Sequence, residues 1–209
     1  RLPAPGLGIR RTALTSALAQ SADECGVAMR WGCAVEGFTT TAHGATVTTA
    51  DGEVPAKLIV AADGLHSRLR RLAGLDRPTR LPQRLGLRQH FRVAPWSEFV
   101  EVHLGDAMEA FLTPVGASRV GVAFLWERDV VPGPASFDTF LRRFPTLAVH
   151  LADERADSRP RGAGPLAQGA RSRIAERFVL VGDSAGYIDA ITGEGVSLAF
   201  VCAQALGAI

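Results

Sequence analysis

The chain has 209 residues, 47% of them apolar and 21% charged, with a formal charge of +2 at pH 7. This is the composition of a folded chain long enough for one large domain or two small ones. It excludes stable membrane insertion through a spanning helix, since no run approaches the roughly eighteen apolar residues required. It also argues against a nucleic-acid partner, because the arginines are scattered, Lys57 is the only lysine, and no aromatic-basic reader motif accompanies them.

In chain order, Leu14, Leu18, Ser21, Ala22 and Cys25 share one helical face, with Gly26 as the stop. Val27–Trp31, Ala34–Phe38 and Ala45–Thr49 have strand character, and Asp51-Gly52 marks a hairpin turn. Leu58–Ala62 reads as a strand buried on both faces, ending in Asp63-Gly64. Ser67 is placed to cap a following helix. The local cluster Arg68, Arg70 and Arg71 reads as a solvated face, and His66 as a surface loop residue. After Pro78 and Pro82, Leu85–Val93, Phe99–Leu104, Ala107–Thr113 and Arg119–Leu125 have the rhythm of an antiparallel sheet. Pro132-Gly133-Pro134 breaks the chain. Phe137, Phe140, Leu141 and Phe144 then show helical spacing, with Pro145 ending the helix. Phe91, Trp96, Phe99, Phe111, Phe124 and Trp126 are candidates for core packing or for an apolar substrate pocket.

Phe178–Val181 is again a buried-strand run, cut off by Gly182-Asp183. About ten small and polar residues come next, and then Val196, Leu198, Val201, Cys202 and Ala205 at helical spacing. Ligands of open α/β sheets sit beyond the carboxyl ends of the strands, and helix N-termini bind anions. An ionised Asp183 at that edge accepts hydrogen bonds only, which suits a ribose or ribityl hydroxyl. Gly193 and Gly195 let backbone N–H groups approach a flat ligand. The same segment satisfies G-x-S-x-G around Ser184, so a serine esterase is the rival reading from another class. Against it, all five histidines (His43, His66, His90, His103, His150) precede Ser184, whereas that fold orders its triad Ser, acid, His. No carboxylate pair, metal-ligand spacing or cysteine nucleophile is visible, so no catalytic residue is assigned and no metal is expected. Cys25, Cys33 and Cys202 read as buried free thiols of a reducing, cytoplasmic setting.

Gly182-Asp183-Ser184-Ala185-Gly186, with Asp189 and Gly193-Glu194-Gly195, resembles the second FAD-binding motif of the flavin-dependent monooxygenase and geranylgeranyl-reductase-like superfamily. Asp63-Gly64-Leu65-His66-Ser67-Arg68-Leu69-Arg70 resembles the Asp-Gly motif of that superfamily, and Arg11-x-x-Leu14 resembles its helix that offers an arginine to FAD. The resemblance implies that Arg11, Asp63, Gly64, Gly182, Asp183, Gly193, Glu194, Gly195 and Val196 bind FAD, with NAD(P)H as electron donor. It implies an α/β fold, an incomplete FAD/NAD(P)-binding Rossmann-like sheet with an inserted antiparallel β-rich substrate domain. Residues 1–81 are read as the middle part of the FAD-binding domain, 82–161 as the insertion with a helix, and 162–209 as the FAD-binding domain continued. The implied activity is that of an FAD-dependent oxidoreductase, a monooxygenase using NAD(P)H and O2 on a largely apolar small molecule. The alternative is a double-bond reductase of the geranylgeranyl-reductase type, towards which Gly186 and Glu194 lean.

The G-x-G-x-x-G unit that holds the pyrophosphate in this superfamily does not occur in the 209 residues, since Gly6-Leu7-Gly8 lacks a preceding strand and a third glycine. The sequence is therefore read as a fragment of a longer enzyme. The 209 residues expressed alone are expected to purify colourless; a stoichiometric yellow FAD complex, read by absorbance, would refute this.

Overall fold

The computed structural model describes residues 6–131 and 133–208; Pro132, part of the expected chain break, lies outside them. In chain order the elements begin with α1 (Arg11–Glu24), β1 (Val35–Thr41), β2 (Gly44–Thr49), β3 (Gly52–Ala56), β4 (Ile59–Ala61), α2 (Arg68–Leu72) and β5 (Asp76–Arg77). Next come β6 (Arg84–Phe91), β7 (Glu101–Gly105), β8 (Met108–Pro114), β9 (Val120–Glu127), α3 (Phe137–Leu141), α4 (Pro145–Leu151) and β10 (Arg161–Ala163). The chain closes with β11 (Gly169–Ala170), β12 (Ile174–Ala175), β13 (Phe178–Leu180), a 3-10 turn at Gly182–Ala185, and α5 (Gly195–Gly207). Two compact units result: one joins the stretch through Met29 with Arg84–Gly164, the other joins Arg30–Gln83 with the chain from Pro165 onward.

The second unit is built on two parallel strands. β13 runs beside β4 in the register Phe178↔Ile59, Val179↔Val60 and Leu180↔Ala61, and β12 flanks β13 antiparallel. β13 is buried throughout, as its apolar run implies, but Val60 in β4 is 45% exposed, so that strand is covered on one face only. β1, β2 and β3 form an antiparallel meander, and its Phe38 ring lies flat on Phe178 with centroids 4.7 Å apart. That stack joins the core of Ala45, Ile59, Ala61, Phe178 and Leu180.

The β2–β3 hairpin turns at Ala50-Asp51, one residue before the expected Asp51-Gly52, because Gly52 pairs with Thr49 and takes φ 118° as the first residue of β3. β3 carries Pro55, whose missing N–H is tolerated because the strand lies at the sheet edge. No strand forms over Val27–Trp31: the segment lies between Gly26 and Gly32, both at positive φ, and finds no ladder partner.

The first unit is a five-stranded antiparallel sheet in the order β10-β6-β9-β8-β7. Period-2 alternation puts Leu87, Phe91, Leu112, Val120, Val122, Phe124 and Trp126 on one face, where α3 and α4 cover them. Phe124 sits at the centre, with ring centroids 5.0, 5.8 and 5.7 Å from Phe137, Phe140 and Phe144. Each such side chain contributes about 1.5–3 kcal/mol by leaving water. Pro145 starts a second helix instead of only ending the first, since at the first helical position its fixed φ fits and its absent N–H is not needed. Of the six aromatic candidates, Phe91, Phe124 and Trp126 are core, Trp96 stacks on His150, and Phe99 is 78% exposed.

α1 ends at Gly26 as expected, with φ 75° there, but buries no residue. Its apolar side offers only two leucines among Ser21, Ala22 and Cys25, too little surface to anchor it. Cys25 is exposed at the helix end, and Cys33 and Cys202 are half-buried, so none of the thiols is the buried group the sequence suggested.

Asp157 gathers three arginines: Arg119 Nε at 2.5 Å, Arg92 Nη2 at 3.2 Å and Arg10 Nη1 at 3.6 Å. The Arg119 hydrogen bond, more than any other contact, holds its carboxyl below the usual range. His90 is pushed below its ordinary pKa by burial first, then by Arg88, Arg10 and Arg119, against the opposing pull of Asp157. A folded state that binds this proton less readily than the unfolded chain gains stability that is complete above about pH 6.5 and fades as pH falls through the folded value. Urea midpoints measured from pH 7.5 to 5.5 are expected to fall, and His90→Gln is expected to flatten that slope; an identical slope in the variant would count against the assignment.

Candidate functional site

β4 and β13 end side by side, and the chain leaves them at Asp63 and Asp183. Gly182 takes φ 58°, and a Cβ there would come within 3.2 Å of Ala199 Cβ on α5, so only glycine makes this turn without strain. Ser184 is fully buried, with its Oγ 2.6 Å from both the Ala61 and Val181 carbonyl oxygens. Its single proton is thus committed to the strand ends, and no substrate can reach it. The esterase reading is corrected on that ground: the G-x-S-x-G match is a turn fastened from beneath by its serine, not an exposed nucleophile.

Beneath the turn lies Arg70, also fully buried, although the arginine cluster had read as a solvated face. Arg68 and Arg71 are exposed, as that reading requires. The Arg70 guanidinium donates Nε to Asp76 Oδ1 (2.8 Å), Nη1 to the Ser184 carbonyl (3.0 Å), and Nη2 to Gln168 Oε1 (3.1 Å) and the Leu65 carbonyl (3.4 Å). A fork of fixed geometry joins the stretches on either side of α2, at Leu65 and Asp76, to Gln168 and Ser184, about a hundred residues on. Ser67 caps α2 as expected, accepting from Arg70 N at 2.9 Å, and donates to Asp63 Oδ1 at 2.5 Å. Asp63 Oδ2 accepts from Leu69 N at 3.0 Å. Both Asp63 oxygens thus brace the start of α2.

Above the turn opens a cavity of about 620 Å³, a size usual for small-molecule sites. Gly182, Asp183, Glu194 and Gly195 line it together with Tyr187, Ile188, Ile191 and Leu198. A Cβ on Gly195 would sit 3.5 Å from the Tyr187 ring and 3.7 Å from Asp183 Oδ1, which places these three groups in one wall. Tyr187 is held by paired backbone bonds with Gln168 (2.8 and 2.9 Å). Burial first, then the Asp183 and Asp189 carboxylates, raise its phenol above the ordinary value, so at neutral pH it is a protonated donor. α5 begins at this wall just after its N-cap residue Glu194, whose side chain makes no capping hydrogen bond.

The FAD dependent oxidoreductase family, DAO, matches residues 5–209. The chain belongs to this family. Over 169 residues it is 29% identical to the digeranylgeranylglycerophospholipid reductase 2 of Methanothermobacter thermautotrophicus (strain ATCC 29096 / DSM 1053 / JCM 10044 / NBRC 100330 / Delta H), covering 75% of this chain and 41% of the relative. Its fold is shared with a flavoprotein/dehydrogenase from Cytophaga hutchinsonii (TM-score 0.83, 21% identity, 92% of this chain and 51% of that one). It is shared too with the halogenase PltM in complex with phloroglucinol and FAD (TM-score 0.81, 17% identity, 91% and 44%). The chain thus spans about two fifths to one half of the length of these proteins.

Set against this FAD-dependent family, the sequence-derived positions divide. Gly182, Asp183, Glu194 and Gly195 come together in the cavity wall. Gly193, at φ 69°, shapes the turn that feeds α5, and Val196 lies in that helix's first turn; neither lines the cavity. Asp63 and Gly64 lie on the neighbouring strand end outside the lining, and Arg11 opens α1 in the other unit. Gln168 and Tyr187 were missed by sequence reasoning, Tyr187 leaving a signal as the one aromatic in a loop of small residues; Arg70 closes the Asp63–Arg70 motif string but reads there only as part of a solvated cluster. Among the described residues no helix is long and apolar enough to cross a membrane, and no group of histidine, cysteine and acidic side chains could hold a metal.

Arg70→Ala leaves the Ser184 and Leu65 carbonyls and Gln168 Oε1 without that donor and opens a void. It is expected to cost about 3 kcal/mol, read as a drop in the urea midpoint. A loss below about 1 kcal/mol would show that the guanidinium is not the fastening described.

Proposed function

We propose that this chain forms the FAD-cradling and substrate-facing part of an oxidoreductase acting on a largely apolar small molecule in a reducing, cytoplasmic setting. The carrying observation is the cavity at the carboxyl end of the β4–β13 pair, walled by Asp183, Tyr187 and Gly195 at the open start of α5. Its groups fit the cofactor. Asp183 would accept from ribityl or ribose hydroxyls, and the N–H groups at Gly195 and Val196 would receive a phosphate. Glu194 and Gly193 shape that edge, and Asp63 with Gly64 holds the adjoining loop. Arg11, in the other unit, is assigned to phosphate by the motif resemblance alone, which suits its charged fork. Bound FAD supplies the electron transfer itself. Tyr187, kept protonated, can donate a hydrogen bond into the cavity, and the exposed side chains of Ile188 and Ile191 give its rim apolar surface. The antiparallel sheet of the other unit carries the substrate-facing surface.

Within this class we place oxygenation first, with NAD(P)H and O2 as co-substrates, as the motif resemblance implies. A second reading, saturation of a carbon–carbon double bond, is favoured by the 29% identity to a protein named as a reductase. Product mass from flavin-loaded, full-length protein with NAD(P)H separates them: one oxygen atom from labelled O2 supports the first, two hydrogens gained without O2 the second.

In the same protein Asp183→Ala is expected to weaken FAD binding tenfold or more, about 1.4 kcal/mol, the scale of a hydrogen bond to a charged group. Unchanged FAD affinity would remove the role given to Asp183.

A further inference from the structure

The two edges of the five-stranded sheet differ in how they meet solvent. β10 is three residues long and carries Arg161 and Gly162, and a short, charged edge discourages further pairing. β7 is five residues long and pairs with β8 on one side; its other side has no strand partner among the described residues. The β7–β8 ladder closes at Gly105↔Met108 across the two-residue loop Asp106-Ala107. The closing pair of such a hairpin exchanges hydrogen bonds and the pairs alternate from there. Gly105, His103 and Glu101 therefore turn their backbone groups to β8, while Leu104 and Val102 turn theirs to the free edge. Both outward positions are apolar and exposed, Val102 by 50% and Leu104 by 80%, and the exposed Phe99 and Val100 extend the strip. On the other face of the strand, Glu101 Oε2 lies 3.2 Å from His103 Nε2 and accepts from Trp96 Nε1 at 3.4 Å.

An apolar edge with unpaired backbone groups is a template for another strand, and the residues of β7 select which one. About a twofold axis through Val102 the segment Val100–Leu104 is self-complementary. Val102 meets the partner's Val102, Val100 meets the partner's Leu104, and Glu101 meets the partner's His103. The Val–Val and Val–Leu pairs carry the outward backbone groups and exchange hydrogen bonds. Glu101 and the partner's His103 form a non-bonded pair, whose Cα atoms come within about 4.5 Å, so a carboxylate faces an imidazole where side chains are closest. Sliding the partner by two residues sets Glu101 against Glu101 or His103 against His103, and sliding it by one opposes an outward-bonding residue with an inward-bonding one. We propose that β7 is a dimer edge, pairing antiparallel with β7 of a second copy of this chain in that single register. The contact is isologous, each copy offering the same patch. It stands independently of the flavin reading.

Sedimentation equilibrium of the full-length protein tests it. A contact made by one strand edge is at the small end of specific interfaces, so a dimer that dissociates on dilution is expected. Val102→Lys sets two ammonium groups face to face on the axis and is expected to weaken the dimer tenfold or more; Val102→Glu is expected to do the same, each with an unchanged far-UV spectrum. Mixing the two variants is expected to restore a dimer holding one copy of each, since lysine then faces glutamate. Leu104→Lys reads the same edge should Val102→Lys fail to fold. A wild-type protein that stays monomeric up to about 100 μM, a dimer that survives both lysine substitutions, or a Val102→Lys and Val102→Glu mixture that stays monomeric would overturn the proposal. So would a monomer whose Val102 and Leu104 amides resist hydrogen exchange, since another segment of the full-length protein would then hold the edge.

Discussion

The candidate site rests on a cation that no solvent reaches. The Arg70 guanidinium holds the Ser184 carbonyl at 3.0 Å while its other N–H groups engage Asp76, Gln168 and Leu65. A charge withdrawn from water is tolerable only when its donors are met, and here four acceptors meet them. Because the acceptors come from four separate stretches, the guanidinium fixes their spacing as a set. The turn carrying Asp183 inherits its position from that set, and so does α2, whose start is capped by Ser67 and Asp63.

The two aspartates illustrate how one structural position can serve two ends. Each stands just past a strand of the parallel pair, and the two strands are adjacent. Asp63 spends both carboxylate oxygens on its own helix start, whereas Asp183 stands in the wall of the cavity beside Tyr187 and Gly195. The difference lies in the two connections. After β4 the chain enters α2 within a few residues and needs a cap; after β13 it makes a 3-10 turn and a longer glycine-bearing loop before α5. A loop of that length leaves space, and the space is where a ligand can lie.

Much of this was legible in the residues themselves. Runs such as Phe178–Leu180 and alternations such as Val120–Trp126 announced their strands because burial on one or two faces writes itself directly into apolar spacing. Gly26 and Ser67 marked helix ends through local chemistry alone. Features that depend on a partner far away in sequence were not legible. Charge pattern alone does not separate Arg70 from Arg68 and Arg71, and its place at the end of the Asp63–Arg70 motif does not reveal burial; that is decided by Gln168 and Ser184, about a hundred residues on. Val27–Trp31 had strand-like residues but no neighbouring ladder, and β3 was hidden by Pro55, which its edge position accommodates. Ser184 shows the same limit in the candidate site: the local string allowed a nucleophile, and only the carbonyls of Ala61 and Val181 reveal a fastening.

The close approach of Gly182 to Ala199 has one more consequence. With 3.2 Å between a would-be Cβ at one position and the existing Cβ at the other, there is room for one methyl group and no second. The two positions therefore share a single allowance of volume, and any enlargement at 199 would have to be absorbed by rolling α5 about its long axis. Such a roll would swing Gly195 and Leu198 relative to the turn. Residue 199, which lines nothing, thus acts as the shim that sets the angular phase of the helix over the ligand space.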